Sequence, residues 1–194
     1  MQTQLYTNTH VGSLQIMRAK FIYEQLRMED ILKPKSMEEI LPHLKKLSPD
    51  ELLVKSSQIG FLPGVKLALE RGVNVHDNDD WALQLASENG HKDVVELLLK
   101  NGADVHADND YALRWASEEG HKDVVELLLK NGANVHARDD WALRLASENG
   151  HKDVVELLLK NGANVHANDD IALRWASEEG HSDVVELLKK YMKK

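Results

Sequence analysis

The chain has 194 residues, 42% hydrophobic and 29% charged, with a formal net charge of −8 and no cysteine. That balance suits a soluble globular fold with a substantial core, and the missing thiols exclude disulfides, cysteine nucleophiles and cysteine-ligated zinc. No apolar run reaches the roughly 20 residues of a membrane span, and the opening MQTQLYTNTHVGS lacks the charged and apolar regions of a signal peptide, so a cytoplasmic protein without a membrane role is expected.

Residues 1–11 carry no structural signal. From Gly12 to Leu32, Leu14, Met17, Phe21 and Met28 fall at helical spacing with Ile22 and Leu26, and the pattern stops before Pro34, which predicts a helix. Ser36 with Glu39 makes a capping box, and Pro42 interrupts the short helix it would start. Ser48, Pro49 and Glu51 make a stronger box with proline at the first helical position. Residues 1–47 therefore read as a helical N-terminal cap over the open edge of the next segment. The alternative is an adaptor or self-association surface within residues 12–47, with a monomer preferred.

From residue 48 the chain repeats itself. Residues 79–108 recur as 109–138 and 139–168 and, shortened, as 169–194, at a constant period of 30. A worn copy precedes them at 48–78, where Leu53, Gly60, Val65, Leu67, Leu69, Gly72, Val75 and His76 keep register. Within a unit, Asp80 is placed to cap a short helix whose Leu83 and Ala86 share a face, and Gly90 to end it in the positive-φ region. HKDVVELLLK then wraps Val94, Val95, Leu97, Leu98 and Leu99 around a second helix, with Glu96 paired to Lys100 on the outside and Asn101–Gly102 as its stop. ADVHAD with Asn109 and Asp110 is expected to be an extended connection with a tight turn. A two-helix unit of this size cannot bury both apolar faces alone, so the copies must stack into a solenoid. Lys189 in the final copy replaces Leu99, Leu129 and Leu159, and with KKYMKK marks residues 169–194 as a C-terminal capping unit.

These units resemble the ankyrin repeat. ALRWAS stands where that family usually shows TPLHxAA, and GHKDVVELLLKNGADVHA is similar to its GH, second-helix and GADVNA segments. The resemblance covers residues 48–194 and implies an all-α solenoid of helix-turn-helix units with projecting loops, acting as a non-enzymatic protein-binding module. Two departures matter. The unit is 30 residues instead of 33, the missing three falling between Ala107 and Ala112, which implies shortened loops. Arg114, Arg144 and Arg174 also stand where the family's histidine would bond to the next unit. The shortened units are similar to those of giant DNA viruses of amoebae.

Copies 79–108 and 139–168 differ only at positions 84, 104 and 108 against 144, 164 and 168, so even outward-facing Lys92, Asp93 and Lys100 repeat. Folding leaves such positions nearly free, so their identity points to recent duplication or to a consensus design, with design preferred. The differences fall in columns: Trp81, Tyr111, Trp141 and Ile171; Leu85, Trp115, Leu145 and Trp175; Asn78, Asp108, Arg138 and Asn168. Gln84 against three arginines and the alternation of Asn89 with Glu119 complete the set. All lie on the loop or first helix, which the resemblance places on a concave, partner-gripping face, and aromatic and arginine residues are what binding hot spots prefer. The candidate partner-binding residues are Trp81, Tyr111, Trp141, Ile171, Asp108, Arg138, Arg114, Arg144, Arg174, Trp115 and Trp175. The competing reading is that Trp115 and Trp175 pack between helices and the arginines pair with nearby acids. A purely structural array with no partner, and a natural adaptor using residues 1–47 for a second protein, stay open beside the binding module.

Other chemistries find little support. Residues 1–78 carry one net positive charge and residues 79–194 nine net negative ones, which repels a phosphate backbone and makes nucleic acid a poor partner. His76, His106, His136 and His166 recur at one position, as do His91, His121, His151 and His181. Stacked units lie about 10 Å apart while zinc ligands converge within about 2.1 Å of one ion, so neither ladder builds a metal site. Ser117, Glu119 and His121 imitate a triad, but they sit at a helix end, where such residues satisfy backbone groups. No phosphate-cradling glycine loop is present. No cofactor, metal or catalytic residue is expected.

Overall fold

The computed structural model describes residues 46–193. The helix expected over 12–32 and the box at Ser36 lie outside the described residues. Ten helices and no strand occur among the described residues: α1 Pro49–Gln58, α2 Leu62–Glu70, α3 Asp77–Glu88, α4 Lys92–Lys100, α5 Ala107–Glu118, α6 Lys122–Lys130, α7 Ala137–Glu148, α8 Lys152–Lys160, α9 Ala167–Glu178 and α10 Ser182–Met192. Successive helices pair as α1/α2, α3/α4, α5/α6, α7/α8 and α9/α10, and the pairs stack in order. The fold is thus an all-α helix-turn-helix solenoid.

Each boundary has a local cause. The Glu51 amide donates to Ser48 Oγ at 3.2 Å and the Ser48 amide to Glu51 Oε2 at 3.1 Å, closing the capping box behind Pro49. The first helix of each later pair ends at a glycine with positive φ, Gly90 at 74° and Gly120 at 75°. In the second helices, Val94, Val95 and Leu98 and their equivalents through Leu158 are buried, with Lys100 bonded to Glu96 at 2.7 Å on the outside. On the first helices, Ala82, Leu83 and Ala86 and their counterparts in α5 and α7 form the opposing half of the core. First helices pack closely on one another down the stack and second helices touch more lightly, so the stack bends with its first-helix layer inside.

The histidines after the glycines lock one pair to the next. His91 donates from Nε2 to the carbonyl of Gln58 at 3.0 Å, His121 to that of Glu88 at 2.9 Å, His151 to that of Glu118 at 2.7 Å and His181 to that of Glu148 at 2.8 Å. Because a carbonyl only accepts, the ring proton sits on Nε2. Each imidazole lies over the preceding pair's glycine so closely that a Cβ on Gly120 would come within 2.6 Å of His151. The Gly-His dipeptide is therefore two halves of neighbouring seats.

Two expectations are corrected. Asp80 does not cap its helix: it adopts φ 57° and is buried, and its Oδ1 accepts the Asp104 amide at 2.8 Å while its carboxylate meets His76 Nδ1 at 3.2 Å. Asp110 and Asp140 do the same with Asn134 and Asn164. A carboxylate in that place satisfies the returning loop instead of its own helix start. The connection is also not simply extended. Asp104 Oδ1 accepts the His106 amide at 2.9 Å, and Asp108, Asn109 and Asp110 then follow with φ of 46°, 55° and 56°, one turn of left-handed backbone. The same triple occurs at 78–80, 138–140 and 168–170. Asn and Asp tolerate this region best, and they fill eleven of the twelve places, Arg138 being the exception.

Candidate recognition face

The left-handed turn delivers the chain to the first helix and sets the residue at its start, Trp81, Tyr111, Trp141 or Ile171, on the inner layer. All four are partly exposed. The rings of Trp81 and Tyr111 lie 6.4 Å apart across neighbouring pairs, and Tyr111 meets Trp115 edge-on at 4.8 Å. Burial pushes the Tyr111 hydroxyl up to about 12, with the Glu88 carboxylate adding to the shift.

The second column divides. Leu85 and Leu145 are buried core residues, whereas Trp115 and Trp175 are only partly covered. The leucines serve packing, and the tryptophans extend the aromatic surface of the first column.

The arginines do not form one exposed row. Arg114 is 4% exposed and clamps its own left-handed turn, donating from Nη2 to the Asp108 carbonyl at 2.8 Å and from Nε to the Asn109 carbonyl at 3.1 Å. Gln84 reaches the equivalent Asp79 carbonyl. In this fold the family's inter-unit histidine position therefore serves the loop of its own unit. Arg144 is 6% exposed but takes another pose: its guanidinium lies 4.3 Å from the Trp141 ring and 5.2 Å from Trp175 of the next pair. Arg174 is exposed. Asp108 and Arg138 are both about half exposed and face each other at 3.9 Å, and Asp108 stands equally far from Arg114.

Beside the aromatic column runs a row of acids at the ends of the first helices. Burial and the neighbouring Glu118 and Glu119 carboxylates hold Glu88 above the usual carboxylate range, and burial with Glu119 and Glu148 does the same to Glu118. Sequence reading caught the alternation of Asn89 with Glu119 but missed Glu88 and Glu118 beside it, because that position is Glu in all four copies. Its signal was their place at helix C-termini, where the backbone dipole already disfavours negative charge.

Among the described residues no group of three or more His, Asp or Glu side chains could hold a metal ion, and no helix is long and apolar enough to cross a membrane. A family model described as ankyrin repeats (3 copies) matches residues 52–139 and again 115–194. No curated protein sequence matches the chain.

Proposed function

Since the chain belongs to the ankyrin repeat family, whose members are generally protein-interaction modules and typically not enzymes, we propose that it binds a protein partner on the inner face of its stack. The contact would centre on Trp81, Tyr111, Trp141 and Ile171, flanked by Trp115, Trp175, Asp108 and Arg138. One observation carries this reading. Units otherwise nearly identical change at these positions, and the changed side chains are partly exposed neighbours on one layer. A rigid stack presents such a surface with little ordering cost on binding. Arg114 takes a supporting part here, since it holds the loop that positions Tyr111.

The test is capture of partners from cell lysate on the intact chain beside a variant carrying Trp81→Ser, Tyr111→Ser, Trp141→Ser and Ile171→Ser, after circular dichroism shows equal helix content. A protein retained by the intact chain alone supports the proposal, and identical captures overturn it for that proteome. The repetition of exposed Lys92, Asp93 and Lys100 favours a second reading, a consensus or duplicated array whose role is structural. That reading is what identical, empty captures would leave standing.

A further inference from the structure

Arg144 and the Trp141 ring beneath it leave their polar chemistry incomplete on the recognition face. Buried guanidinium groups normally carry several hydrogen bonds, because an unpaired buried donor costs the solvation it has lost and an unpaired buried charge costs more. Arg114 obeys this rule through two loop carbonyls. Arg144, at the same position one unit on, makes no hydrogen bond or ion pair with any described residue, and its Nε is fully buried without a partner. The indole Nε1 of Trp141, the ring on which it lies, is likewise buried and unpartnered. The carboxylates of Asp139 and Glu148 act on the guanidinium only from a distance and form no ion pair with it.

The two poses have a cause in the sequence. Asp108 lies six residues before Arg114 and draws it over its own turn, with carboxylate and Nη2 at 3.9 Å. The residue six before Arg144 is Arg138, a cation that cannot do so. The next pair then offers the second ring, Trp175. Copying the unit while exchanging position 108 for 138 and supplying a tryptophan at 175 converts a loop clamp into a guanidinium held between two indoles.

We propose that Arg144, between Trp141 and Trp175, anchors an acidic side chain of the protein partner. This rests on the recognition-face reading and names the chemistry recognised there. A carboxylate offers the charged acceptor that the guanidinium lacks and reaches the Trp141 N–H as the rings part, while the indole faces take the apolar groups beside it. Charge-assisted bonds of this kind are about twice as strong as neutral ones. Arg138, six residues before Arg144, and the exposed Arg174, next to Trp175 in the chain, add positive charge. A single acid in an apolar segment fits a single desolvated arginine, whereas a polyanion would meet the charge of −8 carried by the chain.

The probe is a displayed library of short random peptides selected on the full-length chain, with enriched peptides synthesised and their affinity followed by tryptophan fluorescence. The expected peptides carry an Asp or Glu whose change to Asn or Gln weakens binding about 10- to 100-fold. Arg144→Gln weakens the parent peptide by a similar factor, and the two changes together cost no more than either alone. Arg144→Met, which fills the slot between the indoles without charge, replaces Arg144→Gln where the latter fails to fold. Peptides that need Trp81 and Tyr111 but are indifferent to Arg144 and to their own acids overturn the carboxylate assignment and leave the recognition face standing. Enrichment of no peptide that depends on the aromatic column overturns both.

Discussion

Arg138 is the only side chain in the four left-handed turns that is neither Asn nor Asp, and its replacement isolates what that conformation costs. Its φ of 51° and ψ of 50° bring Cβ close to the following carbonyl oxygen, an arrangement unfavourable by about 1 kcal/mol or more for an ordinary L-residue. Asparagine, which occupies the same place at 78 and 168, relieves part of that cost through local hydrogen bonding, and glycine relieves nearly all of it. Against this stands the loss of the Arg138–Asp108 pair, 3.9 Å apart with both ends about half exposed, which contributes at most a few tenths of a kcal/mol. The Arg138→Asn chain should therefore be more stable by about 0.5 kcal/mol, roughly 1–2 °C in Tm for a chain of this size. Arg138→Gly should match or exceed it. Arg138→Ala, which loses the ion pair and keeps a Cβ, should be neutral or slightly destabilised. Urea titrations at low and high salt measure all three, the high-salt series removing the ion pair from the comparison. Equal midpoints for the Asn and Ala variants would refute the assignment of strain to this residue.

Two further predictions concern the junctions and the acidic row. Gly180→Ala should cost about 1 kcal/mol, the conformational penalty alone, because nothing lies within 4 Å of the added Cβ. Gly120→Ala should cost about 2 kcal/mol or more, because the same Cβ also displaces the His151 ring from its bond to the Glu118 carbonyl. Thermal melts that rank the two variants equally would sink the account of the Gly-His seat. For Glu118 the folded chain holds the carboxyl above its ordinary range, so its charge is a cost that appears as pH rises through the unfolded value and is absent below it. Glu118→Gln should raise Tm at pH about 7 by about 1 °C, the scale of a like-charge pair, and leave it unchanged at pH about 3. A gain that persists in acid would contradict the electrostatic cause.

The helix pairs were legible because the repeat states their pattern four times: Val94, Val95 and Leu98 recur at helical spacing and Gly90 and Gly102 punctuate them. The loop was not legible. Asp80 looks like a helix cap because aspartate before an apolar run usually is one, and only the fold shows its carboxylate turned to the Asp104 amide twenty-four residues on. The left-handed triple was written in the sequence as consecutive Asn and Asp residues, but single residues normally visit that region, and nothing local announces a whole turn of them. The aromatic column could be read from the differences between copies. Which arginines belong to it could not, since beyond the turn the helices of Arg114 and Arg144 differ only by Tyr111 against Trp141 and Trp115 against Leu145.

What separates those two arginines lies in the loop before and in the unit after. Arg114 has a carboxylate at 108 to hold it, and Arg144 has a cation at 138. Arg114 is followed in the stack by Leu145, which has no face to offer a guanidinium, and Arg144 is followed by Trp175. A tryptophan next door would compete with Asp108 for the guanidinium, and Arg138 without Trp175 would turn Arg144 toward a single ring, not two. The arrangement needs both, and they fall in different units. A column of one residue type can therefore contain two kinds of site, and the odd one is found by asking which buried member lacks a hydrogen-bond partner.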